Sequence, residues 1–491
     1  MKMKAYIYFS LASALMLSAC VEKPHDVVNV DELPPIYPDY VGVTVPLGIC
    51  PLDFDVRESE CLDVTLRGAR GGEMHYNGSS ADWDIDDWHA LLCDNAGDSM
   101  VVSVVAKTGG RWQKYRDFSI YVSGDSIGAS GLTYRRIAPG YEVYSHMGIY
   151  QRDLSTFAEK AVMDNNEVPG ACVNCHTSNR TSASDFVFHI RGANGGTMIV
   201  KDDVMEILDT KTDQTIGALV YPSWHPSGRY IAFSTNTTRQ SFHAVSNKLI
   251  EVFDQASDVV VYDTEQHKLL LSPTLNQTDS CWETFPVFSA DGSKIYFTQA
   301  RPRKMPGSLA DVRYDLMSVD FDADEARIGC WKDTVVAMSA EGHSITHPRP
   351  SYDGRYIMYT VSDYGTFPIW HKEADLYLLD LETGESRALT EANSDDTDSY
   401  HNWSANSKWY VFTSRRDDGL YTRLYLARIN DDGTSTKPFM LPQRNPSEYY
   451  DKMLYSYNTP DFADDEVSFD AKRAANMIMK PERIRLTTTQ Q

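Results

Sequence analysis

The residues with the most specific chemistry are Cys172-Val173-Asn174-Cys175-His176. In C-x-x-C-H both thiols form thioethers to haem vinyl groups, and the adjacent imidazole ligates the iron. A chain of this composition would show roughly 0.003 such matches by chance, so the motif is informative. Two other readings stay open: a local Cys172–Cys175 disulfide, or a zinc site needing ligands beyond His189. For the sixth iron position His189 is the candidate, on strand-like Phe186-Val187-Phe188-His189-Ile190 and facing away from Phe186 and Phe188. Met163 and Met198 are softer choices, and an open position is the remaining one. Tyr141 to Asp185 is only 45 residues, short for a complete cytochrome c domain, so neighbouring β-structure would have to cover the haem. A second motif, Gly124-Asp125-Ser126-Ile127-Gly128, matches G-x-S-x-G, with Asp398 and His401 as conceivable partners. That chemistry needs a strand–turn–helix elbow. Here the segment leads into Gly/Ser-rich sequence, and a linker is the better reading.

The elements that must position these residues repeat along the chain. Tyr221-Pro222-Ser223-Trp224-His225-Pro226-Ser227-Gly228 is followed by Phe285-Pro286 to Gly292, His347-Pro348 to Gly354 and Tyr400-His401 to Ser407. With Pro222, Pro286, Pro348 and His401 as equivalents, the intervals are 64, 62 and 53 residues. Each unit has a turn, an alternating strand and a second strand ending in a hairpin. One unit cannot bury both sheet faces, whereas radial neighbours bury each other. These residues resemble the TolB-like β-propeller family, whose blades carry Pro-x-aromatic-Ser-Pro-Asp-Gly; Asn406-Ser407 departs from that pattern. The resemblance covers about residues 186–445 and implies a binding scaffold with a central channel and about six blades. Four blades are clear, and Phe186 to Leu219 would supply another. The 49 residues after Pro442 are too few for a hydrolase domain.

The expected fold class is therefore all-β. A signal peptide covers 1–20, a tether 21–40, a small β-sandwich 41–123, a linker with the C-x-x-C-H segment 124–185, a propeller 186–460 and a C-terminal tail 461–491. Within the sandwich a short helix is expected over Asp86–Asn95, with a turn at Gly109-Gly110. His347 and His401 stand at adjacent offsets in neighbouring units, and with His225 would converge at a channel mouth to bind a metal or an acidic sugar. Hydrogen-bonded structural histidines are the alternative. Asp395-Asp396-Thr397-Asp398, Asp417-Asp418-Gly419 and Asp431-Asp432-Gly433 lack calcium-loop spacing and read as turns. Setting aside Cys20, Cys172 and Cys175 leaves five cysteines, among which Cys281–Cys330 is a plausible pair.

Lys2 and Lys4, an apolar run to Leu17, and Leu17-Ser18-Ala19-Cys20 form an export signal that resembles a bacterial lipobox. Cys20 would then carry the lipid, and export suits both haem attachment and an oxidising compartment. Lys plus Arg is 46 against 69 Asp plus Glu, a net charge of −23. A chain this acidic is repelled by phosphate backbones, which excludes nucleic acid as a partner. The combined expectation is an outer-membrane lipoprotein, facing the periplasm or the cell surface. It would act as a c-type haem electron carrier, with the propeller as a docking surface for a protein or redox partner, and an enzyme is not expected. The alternatives are a haem-free scaffold binding a protein or glycan, and a metal-dependent enzyme using His347 and His401.

Overall fold

The computed structural model describes residues 22–138, 146–243, 248–276 and 280–490. The export signal and Cys20 lie outside them. Among the described residues no helix is long and apolar enough to cross a membrane. The chain divides into two compact units.

The first unit runs to Ser126, with Ser155–Phe157 and Phe439–Met453 added. Within the span expected to be β-structure, strands form as Thr44–Leu47, Cys61–Gly68, Ser99–Thr108 and Phe118–Ser126. They join three others in one seven-stranded sheet. Alternation of buried and exposed residues along Cys61–Gly68 and Ser99–Thr108 leaves one apolar face to cover. The covering layer is helix Ile85–Asp94 and the buried Ile49, Leu52 and Phe54 rather than a second large sheet. Asp84 caps the helix by accepting from the amides of Asp86 and Asp87. The buried Trp88 indole donates to the Ile49 carbonyl at 3.0 Å. The turn at Gly109-Gly110 forms with both φ positive. Residues 22–40, expected as a free tether, are built into this unit. Val28–Asn29 pairs with Gln113–Lys114, Ile36–Tyr37 pairs with Asp55–Val56, and Glu22 bonds Lys107 at 2.7 Å.

The second unit is a six-bladed β-propeller. Blades III to VI start at the four recognised repeats, with inner strands Leu219–Trp224, Trp282–Phe288, Ser344–Pro350 and Asp398–Trp403. Blade II has inner strand Cys172–Asn179 and continues through Ser182–Arg191, Gly196–Lys201 and Val204–Asp209. Blade I combines Gly131–Ile137, Met147–Asp153 and Glu159–Asp164 with an inner strand from far along the chain, Ser456–Ala463. That strand closes the circle. The propeller thus begins at 131 rather than 186, and 124–185 is mostly strand rather than linker. Nor is 461–491 a tail. Helix Ala471–Met479 buries Ala474, Ala475 and Ile478 against blade II, and Ile484–Arg485 and Thr487–Gln490 add parallel edge strands to blades II and III.

Apolar clusters fill the spaces between successive sheets: Phe186 and Phe188 between blades I and II, Val187 with Leu219 and Phe233 between II and III. Strands buried on both faces lose alternation, and Trp282–Phe288 and Tyr356–Ser362 are buried throughout. The repeated Ser-x-Asp-Gly is the turn between first and second strands. Ser289 Oγ donates to Asp291, whose carboxylate accepts from the Ser293 amide, and Ser351 with Asp353 does the same. In blade VI Asn406 replaces the aspartate, bonding Ser404 Oγ and the Lys408 amide. Ser407 adopts φ 57° where Gly292 and Gly354 have 79° and 77°. The departure from the signature therefore keeps the turn, at the cost of a strained serine. Cys281 precedes the inner strand of blade IV and Cys330 lies on its outermost strand. Three strand spacings, about 14 Å, separate such positions, so the expected Cys281–Cys330 disulfide does not form.

Candidate functional site

Each of the six inner strands carries one non-glycine residue in the left-handed region: Cys175, Tyr221, Phe285, His347, Tyr400 and Thr459, with φ between 47° and 54°. Strand pairing slips at every one of these positions. A bulge of this kind re-aims a side chain, and here all six line one cavity of about 390 Å³. Each such residue costs about 1–3 kcal/mol of backbone strain, held by the surrounding sheets. The rings form a contiguous arc, with centroid separations of 4.4 Å for Tyr221–Phe285, 4.2 Å for Phe285–His347 and 4.7 Å for His347–Tyr400.

This geometry re-reads C-x-x-C-H as part of the blade repeat, with Cys175-His176 standing where other blades have Tyr221-Pro222 or Tyr400-His401. Three positions apart on a regular strand, Cys172 and Cys175 would face opposite sides. The bulge brings both into the cavity wall. Both are thiols, and burial raises the pKa of Cys172. His176 is 5% exposed and its ring packs against Phe186, centroids 5.8 Å apart. Among the described residues neither ring nitrogen finds a hydrogen bond of ordinary geometry. Burial, then Arg135, lower its pKa to about 3, with the Thr133 peptide opposing. His401, its counterpart in blade VI, donates from Nε2 to the Met358 carbonyl at 2.9 Å on the neighbouring blade. Met358 and Thr133 occupy the same register position in their blades, so both histidines stand at one blade-to-blade position.

The other expected ligands do not converge. His189 lies on the sheet face opposite Phe186 and so opposite the His176 ring; its Nδ1 meets Thr197 Oγ1 at 3.1 Å. It does not reach an iron held by His176. Met163 and Met198 are buried in the cluster between blades I and II. His347 lines the cavity with Nδ1 on Thr346 Oγ1, while His225 is engaged in its own turn with Ser227. Among the described residues no three His, Cys, Asp or Glu side chains are placed to hold a metal. Asp398 is taken by Arg416 and Ser394, and Ser126 ends a strand with no helix after it, so the hydrolase triad does not assemble. Asp418 and Asp432 accept amides two residues on, as turns do.

Sequence reasoning missed the arginines. Arg135, Arg191, Arg349 and Arg415 line the cavity, and among the described residues that line it Asp461 is the single acidic one, in a chain of net charge −23. Asp461 accepts from Thr177 Oγ1, the Ser178 amide and Asn402 Nδ2 at 2.8–3.0 Å, joining the inner strands of blades I, II and VI. Burial still pushes its carboxyl up to about 7. Arg415 is 2% exposed with its guanidinium 3.1 Å from the Trp370 ring centre. Among the described residues its buried Nε and Nη1 have no hydrogen-bond partner, and burial lowers its pKa to about 9.

Over the cavity runs the long blade III hairpin, Tyr230–Phe242 and Ile250–Asp263, lining it with Phe242, Ile250 and Val252. It is latched to blade V. His371, buried, bonds Glu251 at 3.3 Å and Glu373 at 3.2 Å; Lys248 bonds Glu373, and Tyr364 donates to Glu251. Burial alone would lower the His371 pKa, but the two carboxylates outweigh it and raise it. Burial likewise opposes the bonds that lower Glu251, and that hold Glu373 at about 2. A raised histidine stabilises the latch below its ordinary pKa of about 6.5 and loses that contribution as pH rises through the raised value. Amide exchange across Ile250–Phe253, corrected for intrinsic rate, should therefore quicken above neutral pH. His371→Ala should remove that pH dependence; an unchanged profile would rule the latch out.

No family model matches the chain, and no curated protein matches it. Among solved structures it is similar to prolyl oligopeptidase B from Galerina marginata bound to a macrocyclization substrate, at 11% identity and TM-score 0.37, over 64% of this chain and 44% of that one. It is similar to an oligogalacturonate lyase in complex with manganese, at 13% and 0.31, over 63% and 85%. A third is Kuenenia stuttgartiensis hydrazine synthase, at 12% and 0.31, over 52% and 63%. The chain spans less than half the length of the Galerina peptidase. At such identities the likeness is one of fold and says nothing of activity.

Proposed function

We propose that this protein is an envelope redox component, anchored through a lipid on Cys20, that holds one c-type haem at the channel wall and passes electrons to a partner docked at the propeller mouth. The observation that carries this reading is the blade II bulge, which turns Cys172 and Cys175 into one cavity whose lining also includes aromatic, aliphatic and arginine side chains. The residues fit the group: two thiols share a wall, and the buried His176 imidazole lacks well-formed hydrogen bonds. Cys172 and Cys175 would hold the porphyrin by thioethers and His176 would face the iron. Bound haem supplies one-electron transfer. The chain itself lines the cavity with the apolar Phe242, Ile250 and Trp370 and offers guanidinium groups to acidic substituents.

Protein made with a haem-maturation system should show a covalent haem adduct by intact mass and a c-type absorbance spectrum. Cys172→Ala with Cys175→Ala should abolish both while the thermal transition of the propeller remains. A native mass showing only a Cys172–Cys175 disulfide would overturn the reading. A haem-free binding scaffold is the second reading, favoured by the unpaired guanidinium of Arg415.

A further inference from the structure

A guanidinium buried without a hydrogen-bond partner is among the costliest features a fold can retain. Arg415 is nine-tenths buried by a wide margin, with Nε and Nη1 unpaired, and it lines the cavity rather than a solid core. Stacking on Trp370 fixes its plane but leaves its in-plane donors unsatisfied. Nearby acids do not relieve it: Asp396 and Asp418 act on Arg415 only through space, while Asp396 pairs with Lys372 at 3.1 Å and Asp418 caps its own turn. Two more guanidiniums, Arg135 on blade I and Arg191 on blade II, line the same cavity. Arg349 is set apart as the neighbour of Asp461.

We propose that this cavity holds a carboxylate clamp, in which Arg415, with Arg135 and Arg191 lining the same cavity, receives the carboxylate of a flat, ring-bearing ligand laid against the Tyr221–Phe285–His347–Tyr400 arc. A planar guanidinium pairs with a carboxylate through two parallel bonds. Offset and edge-on ring contacts suit a flat body, and Phe242, Ile250 and Phe367 add apolar surface to the wall. The clamp rests on arginines and not on thiols, so it stands apart from haem attachment. Its carboxylate has two possible sources: the propionates of an attached haem, or a diffusible aromatic acid.

The test is calorimetric titration of benzoate, its neutral isostere benzamide, and inorganic phosphate, into the wild type and into the Cys172→Ala/Cys175→Ala double variant. The double variant should bind benzoate at least tenfold more tightly than benzamide or phosphate. Arg415→Gln placed in that background should weaken benzoate tenfold or more. Arg180→Gln, at the opposite end of the inner strands where Arg180 bonds the Ala290 carbonyl, should not. Melting curves confirm that each variant is folded, and Arg135→Gln serves as a second probe should Arg415→Gln fail to fold. Benzoate excluded from haem-loaded wild type but bound by the double variant identifies the propionates as the natural occupant; equal binding identifies a diffusible acid. Both patterns support the clamp. Equal binding of benzoate and benzamide, phosphate binding as tight as benzoate, or no loss in either arginine variant would overturn it. If the wild type carries no haem, the haem reading falls while every arm of this test still runs.

Discussion

A chain ending at Tyr455 should lose its cooperative thermal transition, whereas one ending at Lys480 should keep it. The difference lies in what each cut removes. Ser456–Ala463 is the inner strand of blade I and pairs along the whole of Gly131–Ile137. The Thr133 hydroxyl adds a bond to the Asp461 carbonyl, and the Ser130 amide donates to the Ala463 carbonyl. Without that strand, Gly131–Ile137 exposes a row of unpaired backbone groups to the channel. Blade I then cannot seal against blades II and VI, because Asp461 no longer bonds Ser178 and Asn402. A propeller is a closed circle of mutually buried sheets, so an opened one exposes apolar faces on both sides of the gap. The shorter cut removes Ile484–Arg485 and Thr487–Gln490, which edge the outer strands of blades II and III, and Arg483, which bonds the Asn194, Gly195 and Ile478 carbonyls. Losing about 1 kcal/mol there would lower the melting temperature by roughly 2–4 °C. Calorimetry on both truncations decides the matter, and a sharp transition in the chain ending at Tyr455 would mean that closure is not what holds the propeller together.

Legibility in the sequence followed local chemistry. Blades IV and V were visible because Ser-x-Asp-Gly is a turn with its own hydrogen bonds, and blades III and VI remained recognisable because His225 with Ser227, and Ser404 with Asn406, make the equivalent turn bonds. Blade II lacks that turn: its first two strands meet through Arg180-Thr181, with Arg180 at φ 57°. Blade I draws its strands from opposite ends of the propeller sequence, a pairing no local pattern encodes. The C-x-x-C-H motif was placed in a linker, since its rarity hid that Cys175-His176 stands at the position of the blade repeat with different side chains. The arginines were invisible for another reason. Arg135 and Arg191 lie on second strands and Arg415 just after one, and only burial separates them from ordinary surface arginines.

Asp461→Asn should gain stability relative to the wild type as pH rises from 4 to 8, by up to about 4 kcal/mol. Burial holds the wild-type carboxyl near pH 7 despite three hydrogen bonds and the neighbouring Arg349. The unfolded chain releases that proton near pH 4. Between those values the folded protein binds the proton and the unfolded one does not. The contribution of this group is thus complete below about pH 4 and is lost as pH climbs through 7. Three pKa units correspond to about 4 kcal/mol. An asparagine cannot titrate, so its penalty is constant: an amide NH2 set toward one of the donors that Asp461 accepts from, costing about 1–3 kcal/mol. Asp461→Asn should accordingly be the less stable protein at pH 4, with the gap narrowing or reversing by pH 8. Denaturant titrations of both proteins at the two pH values measure the change directly, and other titrating groups cancel in the difference. Parallel pH profiles would show that Asp461 is ionised in the folded protein throughout, paired with Arg349. The channel would then carry one fixed negative charge facing its guanidiniums, and a carboxylate ligand would have to compete with it.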